Sequence, residues 1–332
     1  FLGLDGDFLE RDHPWHITGH YPYVNSYLIA GSMLAGRYDI SMPAVSFLLT
    51  QQAAHGGFYS RFTSPGGEEL ADTISSGIAG IACLAAGKIE EAHRVADYLS
   101  YMVKLQPASN DRFFTTVKAD GQLCTEPKDN DSWLRIIDTG KADQCWFAMG
   151  VPFSFLTLLT SATNKMAYRE LAQWYFDFQQ RCIDPWDGFS SGKAAWGCAM
   201  LYRINGEVRY RDVAMHVAKS IMAMQRTDGS WLSGQSNRQG LINADFDLTA
   251  EFTLWLSLIS ENVLARDSGR IPIAANEIRI LPPKRTQSLK ETLRRTAMAH
   301  YRILKNEGLK KYLQYSYCYR KGQVFRLIRK KG

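Results

Sequence analysis

The chain has 332 residues, 45% of them hydrophobic and 12% aromatic, enough to bury one large core and too apolar for a disordered or fibrous protein. Its net charge of +6 hides a division: residues 284–332 hold fifteen Lys/Arg against Glu291 and Glu307, a net of +13, which leaves the preceding 283 residues at −7. The longest apolar stretch, Trp146 to Thr160, contains Pro152 and falls short of the roughly 20 residues that cross a bilayer, so no transmembrane helix is expected.

The sequence opens on Phe1 rather than Met, and its first residues are too polar for a secretory signal. Six cysteines, at 83, 124, 145, 182, 198 and 318, form no CxxC pair, and Cys83 and Cys198 fall inside apolar runs. Free core thiols of this kind point to a reducing compartment, and a cytoplasmic protein is expected.

Read in chain order, the first predicted hairpin covers about residues 23–53 and ends at Gln52, before Gly56-Gly57-Phe58. Ser75-Ser76-Gly77-Ile78-Ala79 then leads into a helix apolar on all sides, Ile78–Ala86, followed by an amphipathic one with Ile89, Ala92, Ala96, Leu99 and Val103 at helical spacing. Gln106 before Phe113 is a degenerate hairpin end, and the stretch 107–137 is expected to be an irregular insertion. Asp138-Thr139-Gly140-Lys141-Ala142 opens a third copy, whose apolar helix is Trp146–Thr160 and whose end is Gln180 before Asp187-Gly188-Phe189. Ser190-Ser191-Gly192-Lys193-Ala194 opens a fourth, with Ala194–Leu201 inside and Val213, Ala214, Val217, Ile221 and Met224 outside. This copy ends at Gln225 before Asp228-Gly229-Ser230-Trp231, and Ala250–Ile259 is the last apolar helix.

A unit of about 45–60 residues that recurs in this way means stacked helical hairpins, because one hairpin alone cannot bury its apolar face. Helices without a polar face belong inside, so an inner ring wrapped by half-buried outer helices is expected, all-α, with five or six hairpins in residues 1–270. Residues 271–283 read as a linker. Residues 284–332 read as a basic helical appendage, in which Leu289, Leu293, Ala297, His300 and Tyr301 share a stripe.

Phe47-Leu48-Leu49-Thr50-Gln51-Gln52 with Gly56-Gly57-Phe58, and the segment Gln225 to Trp231, resemble the glutamine-tryptophan repeats of squalene–hopene cyclases and protein prenyltransferase β subunits. Similar hairpin ends occur in the six-hairpin toroids of unsaturated glucuronyl hydrolases and sugar epimerases. The resemblance implies an α/α toroid over roughly 250 residues; the motif is structural and does not select a reaction.

In such a toroid the loops entering the inner helices line one mouth, where side chains distant in sequence converge. The candidates there are His20, Tyr23, Asn25, Asp72, Ser75, Asp138, Lys141, Asp143, Cys145, Lys193, Trp196, Asp245, Asp247 and Glu251. Asp72, Asp143, Asp247 and His20 are the expected acids and bases, since paired carboxylates and a histidine near neutral pH supply proton transfer. Lys141, Lys193, Tyr23, Trp196 and Glu251 are the expected substrate contacts. The two lysines occupy matching Gly-Lys-Ala segments and would together hold an anion.

Asp143-Gln144-Cys145 resembles the Asp-x-Cys zinc ligands of prenyltransferase β subunits, but Leu248 stands where the third ligand, a histidine, would fall, so no metal is expected. The same Leu248 breaks the likeness of Asp245-Phe246-Asp247-Leu248-Thr249-Ala250 to the proton-donating motif of class II terpene cyclases; Asp247 would otherwise cap a helix starting near Thr249. His13, His16 and His20 are separated by Pro14 and Gly19, which rule out regular helical ligand spacing.

The leading expectation is therefore a cofactor-free enzyme doing acid–base chemistry, whether hydrolysis, elimination or epimerisation, on an anionic, uronic-acid-type saccharide. The alternatives are an isoprenoid cyclase or prenyltransferase binding a diphosphate, and a non-catalytic glycan- or lipid-binding toroid. The segment Lys284 to Lys331, with four tyrosines between Leu309 and Tyr319, has the chemistry to meet an anionic membrane surface or the acidic body itself, and no nucleic-acid motif accompanies it.

Overall fold

The computed structural model describes residues 22–60, 70–109, 111–126, 132–187, 189–231 and 242–268. All of these lie in the first of two units, Phe1–Glu277; the second, Ile278–Gly332, is outside the described residues, and with it the expected basic appendage. The chain enters at α1 (Pro22–Leu34) and turns into α2 (Tyr38–Leu49). Strands β1 (Tyr59–Ser60) and β2 (Leu70–Asp72) lead to the second hairpin, α3 (Thr73–Ala85) and α4 (Ile89–Leu105). Strands β3 (Arg112–Phe114) and β4 (Thr116–Lys118), a single turn α5 (Ser132–Arg135) and β5 (Ile136–Asp138) precede the third hairpin, α6 (Phe147–Thr163) and α7 (Met166–Gln180). The fourth is α8 (Gly192–Asn205) with α9 (Val208–Ala223), and α10 (Ile242–Asp267) follows.

The apolar helices form the inner layer in the order α1, α3, α6, α8, α10, each packed on the next, while α2, α4, α7 and α9 lie outside against their hairpin partners. Composition explains the division: α6 buries twelve of its seventeen residues, whereas α4 buries only the Ala92, Val95, Ala96, Tyr98, Leu99, Met102 face. Inner helices touch through glycine. A β-carbon on Gly80 would lie 2.5 Å from the Phe155 ring, one on Gly150 2.7 Å from the Ala194 backbone nitrogen, and one on Gly192 2.8 Å from the Trp255 ring. Small residues thus let α3, α6, α8 and α10 approach closely at the centre.

Each inner-to-outer turn uses one left-handed residue: Gly36 (φ 70°), Gly87 (φ 70°), Asn164 (φ 56°) and Gly206 (φ 75°). After the first two, Arg37 N donates to Ser32 O and Lys88 N to Cys83 O, both at 2.8 Å, the reach-back that closes a helix C-terminus. The opposite ends repeat as well. The amide of Gln52 donates to Gly56 O and that of Gln225 to Gly229 O, each at 3.0 Å, and Trp231 Nε1 donates to Ile221 O at 2.7 Å.

Residues 107–137 depart from the irregular insertion expected. β3 pairs antiparallel with β5, Phe113 opposite Ile137, while β4 pairs with β2, and β2 with β1. Gln106 anchors the segment by accepting from Phe114 N at 2.8 Å and donating to Phe114 O at 3.1 Å. Phe113 then seats its ring against Trp174, Tyr175 and Phe178 of α7, each 5.7 Å away. Strands of three residues carry no readable alternation, which is why composition alone did not show them. No helix among the described residues is long and apolar enough to cross a membrane, and the five described cysteines are free.

Candidate functional site

The repeat has a register that can be read from its hydrogen bonds. Phe58 N donates to Ser76 Oγ (2.9 Å) and Trp231 N to Thr249 Oγ1 (3.1 Å), both across eighteen residues, so Ser76 of α3 and Thr249 of α10 are equivalent. Ser191-Gly192 repeats Ser76-Gly77 in sequence. Two residues further on stand Ile78, Lys193 and Glu251, one on each of α3, α8 and α10. The glycine contacts extend the register to α6: Gly77 faces Val151, and Gly192 faces Trp255, four residues past Phe147 and Glu251 respectively. One layer of the inner ring is thus Ile78, Phe147, Lys193 and Glu251.

Within this layer Lys193 Nζ donates to Glu251 Oε1 at 2.9 Å, and the Tyr23 hydroxyl of α1 donates to the same oxygen at 3.4 Å. Three rings enclose the ammonium: Phe147 at 5.2 Å, Trp255 at 5.4 Å and Tyr23 at 5.9 Å to their centroids. The lysine side chain is 6% exposed and the glutamate 24%, so the glutamate is the more open of the two. Glu251 Oε2 has no hydrogen bond among the described residues. Burial works against the charge on Lys193, but the Glu251 carboxylate outweighs it and holds the ammonium above its ordinary range. Burial also pushes the Tyr27 phenol far up, opposed by Lys193, so it stays a neutral O–H donor. Its hydroxyl is buried, with the Tyr23 hydroxyl beside it but outside hydrogen-bond geometry.

Aromatic surface flanks the pair. Trp196 packs on Trp255 (5.5 Å), and Trp133, 43% exposed, meets Phe147 edge-on (5.6 Å) while its Nε1 donates to Asp143 O at 3.4 Å. Cys145, just before α6, is fully buried; burial drives its thiol up, and it feels both Lys193 and Asp72, which places those two groups at the same end of the ring.

The other expected residues fall out as follows. Asp72 ends β2 and caps α3, accepting from Ser75 N at 2.6 Å and Ser75 Oγ at 3.0 Å. It is 7% exposed and lines a small, partly open pocket of about 10 Å³ with Ser60, Thr116 and Arg135, room for about one water. Burial raises its carboxyl above the usual range against the opposing bonds from Ser75 and Ser60. Asp143 is exposed with φ of 51°. Its near neighbour Cys145 is buried, so the two do not present themselves as a ligand pair, and no group of three metal-binding side chains occurs among the described residues.

Lys141 is exposed in a turn where its amide donates to Asp138 O, with no ion pair among the described residues, and it does not share the enclosed setting of Lys193. The backbone of α10 is already helical at Ile242, so Asp247 lies inside that helix rather than at a cap near Thr249. The side chains of Asp245 and Asp247, and all of His13, His16 and His20, lie outside the described residues.

No protein-family model and no curated protein matches this sequence. Among solved structures, the chain superposes on a GH76 α-mannanase of Bacteroides thetaiotaomicron with a TM-score of 0.51 and 14% identity, over 74% of this chain and 70% of that one. It superposes on a D-mannose isomerase with a TM-score of 0.51 and 13% identity, over the same shares. At such identities the likeness is one of fold, and the fold is the α/α toroid.

Proposed function

We propose that the chain is an enzyme acting on a saccharide at the mouth of its inner ring, with Glu251 as the group that takes and returns a proton. The observation that carries the reading is the carboxylate itself: one oxygen is fixed by Lys193 and Tyr23, and the other is left for a substrate hydroxyl or carbon-bound proton. Trp133, which is exposed, and Trp196, half-buried and backed by the buried Trp255, supply the flat apolar surface on which a sugar ring rests. That the two superposed toroids are an α-mannanase and a D-mannose isomerase supports a saccharide as the substrate.

Among the described residues one carboxylate is aligned at the pair, which suits abstraction and return of a proton, as in epimerisation or isomerisation, whereas hydrolysis calls for a second carboxyl group across the scissile bond. The diphosphate reading needs free cations. Lys193 is already paired, and that reading loses its main support.

The test is proton exchange. Full-length protein is incubated in deuterated water with mannose, glucose, mannobiose, cellobiose and glucuronic acid, and new sugars and deuterated carbons are followed by NMR. Glu251→Gln should lower turnover by about 10²–10⁴-fold. Because that change strands a buried ammonium, Lys193→Met/Glu251→Gln is measured beside it as a neutral pair that should regain stability and stay inactive. Turnover by Glu251→Gln at the wild-type rate would remove Glu251 from the chemistry, and a panel left untouched by wild type would remove the saccharide.

A further inference from the structure

Gln144 stands just ahead of α6, is buried, and uses both ends of its side chain on one loop. Its carboxamide oxygen accepts from Asp138 N at 2.7 Å, while its nitrogen donates to Asp138 O at 2.7 Å and to Lys141 O at 2.8 Å. The partners fix which end is which, since two carbonyls need a donor and a backbone N–H needs an acceptor. The loop from Asp138 to Gln144 is thus closed on a single carboxamide. Its main chain is tied to the next hairpin as well: Ser190 Oγ donates to Gln144 O at 3.2 Å and accepts from Trp146 N at 3.3 Å, three residues before Lys193.

This loop is held where a free chain seldom rests. Asp143 has φ of 51°, in the left-handed region that a residue with a β-carbon rarely enters. There its carbonyl accepts from Trp133 Nε1 at 3.4 Å, and the Trp133 ring meets Phe147 edge-on at 5.6 Å. Phe147 in turn packs on the ammonium of Lys193, the partner of Glu251. We infer that Gln144 is a positioning residue for saccharide binding: its carboxamide locks the 138–144 loop, and the loop holds Trp133 beside Phe147 as a wall built before a sugar arrives.

This rests on the saccharide reading above and deepens it. Thr115 anchors the backbone of α5, its N donating to Arg135 O and its Oγ1 to Leu134 O, both at 2.9 Å. The direction of the Trp133 ring is set from the other side, by Asp143 O and Phe147. An exposed indole left to change rotamer would give up that freedom on meeting a sugar. One already held has given it up, and the contact is correspondingly stronger.

The test reads the free protein first. In full-length protein labelled with 5-fluorotryptophan, the Trp133 signal is identified by its loss in Trp133→Phe. Gln144→Met, which keeps the volume and removes all three bonds, should move and broaden that signal and leave the buried Trp231 in place. Gln144→Asn keeps the carboxamide one methylene shorter; it should move the signal less, and it carries the test if the Met variant does not fold. On the sugar turned over fastest, Gln144→Met should raise KM by about 2–10-fold with kcat nearly unchanged. Trp133→Ala should raise KM likewise, and adding Gln144→Met to it should cost little more, because both act through one surface. A glutamine that serves only the fold would lower the melting temperature and leave the Trp133 signal and KM alone, which would overturn the inference. KM effects that add in full would overturn it too. Since the fluorine signal is read without sugar, its staying put in Gln144→Met defeats this inference and spares the saccharide reading, whereas a wild type that turns over no sugar defeats both.

Discussion

Asp72 ends a three-residue strand and begins a helix, and both of its carboxylate oxygens are taken up by Ser75. The bond to the Ser75 amide satisfies one of the donors left open at the start of α3, which is the ordinary work of an N-cap. Its carboxyl is raised above its unfolded value of about 3.9. The sign follows: below that value both states are protonated and nothing is lost, and as pH rises from there through the folded pKa the buried charge costs stability. Asp72→Asn keeps the acceptor for Ser75 N, and the hydroxyls of Ser60 and Ser75 can turn to accept from its amide. The Asn variant should therefore match or exceed wild-type stability at pH 7 and show a flatter melting temperature on raising pH from 4, whereas Asp72→Ala should lose about 0.5–2 kcal/mol. An Asn variant as unstable as the Ala variant at pH 7 would show that the charge itself supports the fold. The pairing of Lys193 with Glu251 was hidden for a different reason. Each residue is visible alone, but 58 positions separate them, and only the register of the inner ring brings them together. Gly-Lys-Ala also takes two local forms, since Gly140 sits in a turn closed by Asp138 Oδ1 (2.9 Å) while Gly192 is the first residue of α8.

At the scale of elements, the inner helices were legible because a helix apolar on every side has only the interior to go to. The glutamine ends were legible as a repeat, and the structure supplies their purpose in the bonds to Gly56 and Gly229. What composition did not reveal was which small residues are contacts. Gly150 and Gly31 are both helical glycines, yet a β-carbon on Gly150 would strike the α8 backbone at Ala194 N (2.7 Å), and one on Gly31 meets nothing within 4 Å. Gly150→Val should cost about 1–3 kcal/mol, since the obstacle is backbone and α6 must move off α8. Gly31→Ala should instead gain about 0.5–1 kcal/mol by removing backbone freedom from the unfolded chain. Urea melts of the two variants separate them by sign. Equal and small effects would mean that α6 and α8 are not held as closely as their glycines indicate.

On the scale of the whole molecule, the question is whether the hairpins form an open stack or a ring. A linear array couples each repeat only to its neighbours, so its ends loosen first. Here Tyr23 of α1 reaches Glu251 of α10 across 228 residues, and Lys193 of α8 touches both, so the first and last inner helices share one polar cluster. A closed ring has no free end, and opening the seam exposes the buried ammonium together with the aromatic rings around it. Helix content and seam should then be lost in one transition. Fluorine-labelled tryptophan distinguishes the cases, because Trp255 reports on the seam and Trp174 on the outer helix α7. Both resonances should vanish at the same urea concentration as the far-ultraviolet helix signal. Tyr23→Phe, which removes the hydroxyl at the seam, should lower the common midpoint by the equivalent of about 0.5–1.5 kcal/mol without splitting it. If Trp255 is released at lower urea than Trp174 in the wild type, the seam is an end rather than a closure. The shared layer of Lys193 and Glu251 would then hold two neighbouring hairpins together and not the ring.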